Sequence, residues 1–207
     1  MVLTEQQEKF LDFVKEQHNT QVRKYTGEPY WTHPYAVAEL VNEYKSEYEQ
    51  YCIEIALGHD LLEDTSCNVV SLKIKLKEIG YSDDSTNQIV SGILDLTDNF
   101  TKELYPNFNR KKRKSLEVKR LSTIQQVSQT VKYADLIENI SSIVEHDKNF
   151  AVTYLEEKKE ILKNIRNGNF DLYMKVIKVY LDSVEILEND IIYSKNLDHH
   201  LIKIFEY

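Results

Sequence analysis

Five glycines and three prolines are all that punctuate 207 residues. An all-β chain of this length needs many tight turns, and glycine and proline are the residues that make them. The chain therefore reads as helical, and its apolar spacing agrees. Phe10, Phe13 and Val14 follow Thr4, a capping residue, while Val37, Leu40, Val41 and Tyr44 follow Thr32, which predicts a second capped helix. Ile53, Ala56 and Leu57 mark a third. Val70, Ile74 and Leu76 mark a fourth that stops at Gly80, a C′ residue, and Ile89, Val90, Ile93 and Leu94 mark a fifth. Further amphipathic stretches cover about 115–146, 150–166 and 169–187. No repeat, low-complexity segment or linker-like gap interrupts them. The expectation is one compact all-α domain over residues 1–187, with 188–207 a docked tail or interaction segment.

Hydrophobic residues at 42% and charged residues at 29% are ordinary for a globular chain with a core. The net charge of −8 argues against a general binder of nucleic acid or of anionic membranes. No apolar run approaches the ~20 residues that span a bilayer, and the opening "MVLTEQQEKF" has no signal-peptide pattern. Cys52 and Cys67 form neither a CxxC motif nor a disulfide framework. They read as buried small hydrophobes in a reducing cytoplasm.

Chemistry concentrates in three segments. "ALGHDLLEDT" carries His59 and Asp60, "GEPYWTHPYAVAELV" carries His33, and "VKYADLIENI" carries Asp135. Two imidazoles and two carboxylates form a mixed nitrogen and oxygen set suited to manganese, iron or zinc, and the set accepts all three. Neighbours on a helix diverge by ~100°, so His59 and Asp60 are expected to lean from one helix toward a single ion. Glu63 and Asp64 would follow one turn later, and acids so close raise one another's pKa unless a cation is present. The bland alternative for that acidic pair is a solvated helix face. Asn139, one turn beyond Asp135, would present a neutral amide to the same cavity.

These residues carry a resemblance. "HNTQVRKYTGEPYWTHPYAVAEL", "IALGHDLLEDT", "VSGILDLTDN" and "VKYADLIENI" resemble, in order, four blocks of the HD-domain phosphohydrolases. Within that superfamily the chain is most similar to the hydrolase domain of RelA/SpoT-type alarmone enzymes and to the stand-alone, Mesh-type small alarmone hydrolases. The likeness covers about residues 7–187. It implies a helical bundle around one divalent ion, usually Mn²⁺ with Fe²⁺ or Zn²⁺ as alternatives, held by His33, His59, Asp60 and Asp135. Glu63 and Asp64 match the acidic pair that activates and orients the attacking water. Asn139 matches a residue lining the nucleotide site, and Arg23 and Lys24 match basic residues that contact the substrate. The implied reaction removes the 3′-pyrophosphate from guanosine 3′,5′-bis(diphosphate), ppGpp, or its pentaphosphate relative, a small-molecule nucleotide substrate. The chain departs from the family where a basic residue often follows the aspartate and the block closes on another. Here Leu136 and Ser141 stand at those places.

A second source of cations is "RKKRKSLEVKR", with seven basic residues against Glu117 alone. Lys112 and Arg113 are its candidates for holding phosphate. The competing expectation is a solvated helix end. Tyr30 and Trp31 are the aromatics expected at the pocket, with simple packing the competing expectation, and His146 reads as a surface histidine although Asp147 makes it a second His-Asp pair. Two rivals share the ligand set: an HD-domain phosphatase of another nucleotide such as NADPH, and a nucleotide-sensing module without turnover.

Overall fold

The computed structural model describes residues 1–45 and 49–190. The remainder of the expected tail, 191–207 with its His199-His200 pair, lies outside the described residues. Ten helices account for the architecture among the described residues: α1 (Glu5–Gln17), α2 (Thr32–Tyr44), α3 (Cys52–Gly58), α4 (Leu61–Asp64), α5 (Val69–Ile79), α6 (Asp83–Leu96), α7 (Arg110–Leu121), α8 (Gln126–His146), α9 (Lys148–Asn164) and α10 (Phe170–Asp190). No strand occurs among them; Val22 and Pro29 form an isolated antiparallel bridge. None of these helices is long and apolar enough to cross a membrane. α10 runs on through Asp190, so residue 187 lies within a helix rather than at its end.

The helix starts follow local chemistry. Thr4 and Gln7 form a capping box at α1, Asn68 and Ser71 form another at α5, and Ser82 and Asn109 cap α6 and α7. Gly80 closes α5 with φ +107°, a left-handed conformation that glycine adopts without strain. Thr32 departs from expectation. It lies inside the first turn of α2, where its hydroxyl donates to Pro29 O at 2.8 Å, and Trp31 occupies the cap position without a side-chain bond.

The stretch expected over 115–146 is two helices, broken between Leu121 and Gln126. Ser122 and Thr123 donate their hydroxyls back to Lys119 O and Arg120 O, a local competition that ends helices. Asp95 of α6 then accepts from Gln125 N–H and Ser128 Oγ, anchoring the start of α8. On α5 and α6, Leu72, Leu76, Ile79, Ile89, Val90 and Ile93 face inward, whereas Val70, Ile74 and Leu94 are exposed.

Helix α8 is the hub, packed against α2, α3, α6, α9 and α10. Its Val131, Leu136 and Ile140 meet Val37 and Val41 of α2, Ile55 of α3, Leu155 of α9 and Tyr180 of α10 in one core, together with Phe10 and Val14 of α1. Helices α3 and α6 cross closely because each has a glycine there. A Cβ on Gly58 would lie 2.6 Å from Ile93 Cδ1, and one on Gly92 would overlap Ile55. That crossing fixes the end of α3, and with it the chemistry that follows.

Candidate active site

The first turn of α2, the junction of α3 and α4, and the middle of α8 converge. Donor atoms of His33, His59 and Asp60 lie within 4.8 Å of one another and can hold a metal ion. His59 and Asp60 do not share a helix as expected. α3 ends at Gly58, both residues form a turn, and α4 begins at Leu61. Across that turn the side chains stay together: His59 Nε2 is 3.2 Å from Asp60 Oδ1, and His33 Nε2 is 3.5 Å from Asp60 Oδ2. Asp135 Oδ1 completes the group at 3.4 Å from His33 Nε2 and 3.7 Å from His59 Nε2.

Both imidazoles are turned by their second nitrogen. His59 Nδ1 lies 2.8 Å from the carbonyl of Ala56, which only accepts, so Nδ1 carries the proton and Nε2 faces the cluster. His59 Nε2 is buried with no hydrogen-bond partner, an orphaned donor atom of the kind a metal would satisfy. His33 Nδ1 lies 2.7 Å from Glu138 Oε2, and Arg23 grips both oxygens of the same carboxylate. Burial raises the Glu138 carboxyl, but hydrogen bonds from His33 and Arg23 outweigh it and hold it down at about 2. Burial disfavours the charged form of His33, yet Asp135, Glu138 and Asp60 push it up to about 10. The residues present fit a divalent cation, with second-nitrogen partners of the type that orient metal-ligating histidines.

A cavity of about 230 Å³ opens from this cluster, bounded by Glu63, Asp64, Asp98, Lys114, Glu117, Lys132, Asn139, Tyr154, Glu157 and Lys158 among others. Glu63 accepts from the backbone N–H of Asp98. Burial, helped by the Asp98 charge, pushes its carboxyl up to about 7. Asp64 is also raised, by burial and by Asp60. The Tyr30 hydroxyl stands 2.8 Å from both Asp60 Oδ2 and Asp64 Oδ2, one proton bridging two carboxylates. Asn139 lines the cavity and donates to Asp135 Oδ1 at 2.5 Å.

The cations expected from sequence are placed elsewhere. Arg23 is spent on Glu138, and Lys24 is exposed beside the Tyr25 hydroxyl and Asp147. Lys112 lies over the Phe108 ring at 3.7 Å, and Arg113 donates to Phe108 O. None of these four bounds the cavity; Lys114, Lys132 and Lys158 do. Of the basic stretch, Lys114 alone reaches it. Lys132 stands in the quoted "VKYADLIENI" block at i−3 from Asp135, a spacing that could have identified it, whereas Lys158 in "YLEEKKEIL" has no sequence marker. Trp31 lies away from the cavity, packed edge-on to Tyr35 and under the Lys15 ammonium. His146 bonds Ser142 O and stacks on Tyr25, and Cys52 and Cys67 are free, buried thiols.

No protein-family model matches the chain. Among solved structures, it superposes on a metazoan ortholog of SpoT, described as hydrolysing ppGpp and playing a role in starvation responses. The TM-score is 0.70 at 17% identity, over 88% of this chain and 97% of that one. This chain has the fold of a SpoT ortholog. A crystal structure from Listeria monocytogenes EGD-e superposes on this chain less fully, with a TM-score of 0.51 at 21% identity over 75% of this chain and 97% of that one. In sequence, 67 residues are 43% identical to the guanosine-3′,5′-bis(diphosphate) 3′-pyrophosphohydrolase of Aquifex aeolicus (strain VF5). That match covers 32% of this chain and 9% of the length of the Aquifex protein.

Proposed function

We propose that this chain is a metal-dependent pyrophosphohydrolase that removes the 3′-pyrophosphate of ppGpp or pppGpp, giving GDP or GTP and pyrophosphate. The observation that carries the reading is one cavity that joins the buried His33–His59–Asp60 cluster to a carboxyl near neutrality and to three lysines. The choice of ppGpp is supported by the names of the metazoan and Aquifex relatives. At about 230 Å³ the cavity suits an ion and a diphosphate rather than a whole nucleotide, since pockets for drug-sized ligands run to ~300–1,000 Å³. The nucleoside would then rest outside it.

In this reading His33, His59, Asp60 and Asp135 hold the ion, taken as Mn²⁺ with Fe²⁺ or Zn²⁺ as alternatives. A bound divalent ion supplies Lewis acidity to a phosphoryl oxygen and lowers the pKa of water. Glu63, tied at one oxygen to Asp98 N–H, accepts the proton of the attacking water, a task for which a carboxyl near 7 is well matched. Asp64, held by Tyr30, orients that water. The water oxygen joins the phosphorus, its bond to the 3′-oxygen breaks, and the protons of the water end on the two products. Asn139 and the lysines bind the substrate; Arg23 acts through Glu138 and His33 rather than by touching it. A cytoplasmic location belongs to the same proposal, in keeping with two buried free thiols.

The test is chromatographic resolution of products from ppGpp, with Mn²⁺, beside an Asp60→Ala control. GDP and pyrophosphate that disappear in the control support both the substrate and the metal. Turnover of NADPH with ppGpp left intact would transfer the metal site to another nucleotide. Silence on every nucleotide tried would leave a sensing module.

A further inference from the structure

We infer that Lys158 is a phosphate-binding residue of this cavity, contacting the oxygens of the diphosphate from the α9 wall. The inference rests on the pyrophosphohydrolase reading only for which diphosphate arrives.

The helical register comes first. Tyr154, Lys158 and Ile161 are spaced four and three residues apart, lie on one face of α9, and all line the cavity. That face also carries Glu157, and Ala151, Leu155 and Leu162 are buried beside it. A lysine in such a stripe usually snorkels to solvent. This one opens into the cavity instead, with its ammonium 4.5 Å from the Tyr154 ring centre.

Charge pairing comes second. Around the cavity, Lys114 pairs with Asp98 at 2.8 Å and Lys132 with Asp135 at 2.8 Å. Glu117 accepts from Arg120 Nε at 2.6 Å, and Glu157 from Arg110 Nε at 2.6 Å. What remains on the metal side is Asp60, Glu63 and Asp64. What remains on the α9 side is Lys158, which among the described residues makes no ion pair and no hydrogen bond. A sheltered ammonium without a counter-ion is costly, and a face over Tyr154 offsets little of that cost. Burial and the neighbouring Lys132 and Lys114 together lower it to about 8. An anion in the cavity would relieve all three. No acid among the described residues fills that place, and an incoming phosphate would.

Inorganic pyrophosphate, titrated calorimetrically into the Mn²⁺-loaded chain, tests this without any turnover. Lys158→Met keeps the aliphatic stem and removes the charge. It is expected to weaken pyrophosphate by ~10–100-fold, the weight of a charge-assisted contact, with Mn²⁺ affinity within about twofold of the parent. Lys158→Arg is expected to restore binding to within about threefold. Unchanged pyrophosphate binding in Lys158→Met overturns the inference, as does an equal loss of Mn²⁺ affinity. A second readout needs no variant: acylation of the parent chain followed by mass spectrometry, with and without pyrophosphate. Protection of Lys158 by about fivefold or more is expected, and equal labelling in both samples overturns the inference. Pyrophosphate held through Lys158 in a chain that leaves ppGpp intact would defeat the substrate reading alone. Hydrolysis of ppGpp with pyrophosphate indifferent to Lys158 would defeat this inference alone.

Discussion

Replacing Glu138 with glutamine tests whether the Arg23–Glu138–His33 relay orders the cluster. The carboxyl falls from an ordinary 4.5 to about 2. At ~1.4 kcal/mol per tenfold, that is roughly 3 kcal/mol of stability for the metal-free chain, an upper figure. Little needs to be discounted for solvent, because the side chains of Arg23 and Glu138 are 14% and 16% exposed. The sign differs for the two partners. A depressed carboxyl stabilises fully above about 4.5, and its contribution is lost as pH falls through about 2. The raised His33 stabilises fully below about 6.5, and its contribution is lost as pH climbs through about 10. The parent and Glu138→Gln should therefore differ most between about pH 4.5 and 6.5, converge on the acid side, and draw closer on the alkaline side by the His33 share while the Arg23 pair persists. Urea denaturation with a chelator present reads this directly. With a slope of ~2 kcal/mol/M, a 3 kcal/mol loss lowers the midpoint by ~1.5 M at pH 6. A difference under about 0.5 kcal/mol there, or one that stays flat from pH 4.5 to 9, would refute the relay.

Gly92→Ala should destabilise by ~1–3 kcal/mol or more in the same assay, because its Cβ would overlap Ile55 where α3 meets α6. Leu136→Arg, which places at 136 the basic residue that often stands there in the HD-domain blocks this sequence resembles, should cost ~3 kcal/mol or more and not raise activity. Leu136 is 0% exposed in the core and lies outside the cavity lining, and a thermal midpoint unchanged by the substitution would contradict this. The kcat/KM for ppGpp should rise with pH through about 7 or somewhat below, since Glu63 must be deprotonated to accept a proton and a cation nearby lowers it. Glu63→Gln should remove that limb along with most of the rate. Mn²⁺ at about 100 times its Kd should stabilise the chain by ~2.7 kcal/mol, and Asp60→Ala should abolish the gain.

The helical class was legible because few turn-formers leave few alternatives, and the metal cluster because its residues stand in short, ordered blocks. The break between α3 and α4 at residues 59 and 60 was not. Residues 59 and 60 have no helix breaker beside them other than Gly58, whose role depends on Ile93 and Phe10 across the core. The pairing of Arg23 with Glu138 was hidden for a similar reason. Its partner Glu138 is 115 residues away, and no local spacing announces a pair of that separation. The cationic wall shows both outcomes. Lys132 sits at a helical interval from Asp135 and could have been read, while Lys158 becomes meaningful only once α9 is packed against α7 and α8.

That packing also explains how an acidic cavity can admit a polyphosphate. Four of its acids, Asp98, Glu117, Asp135 and Glu157, are matched by Lys114, Arg120, Lys132 and Arg110. The acids without a lysine or arginine partner, Asp60, Glu63 and Asp64, gather where His33 and His59 present their inner nitrogens, so their combined charge falls on the side of the ion. Without a divalent ion there, the charged His33 offsets only part of the three carboxyls that face an incoming phosphate, and Lys158 is the unpaired cation left to attract it. With one, the repulsion is largely cancelled and the lysine wall prevails. Binding of pyrophosphate should consequently be far weaker with chelator than with Mn²⁺, and the difference should shrink in Asp64→Asn, where one repelling charge is gone. Equal affinity with and without Mn²⁺ would mean that the anion is held somewhere other than this cavity.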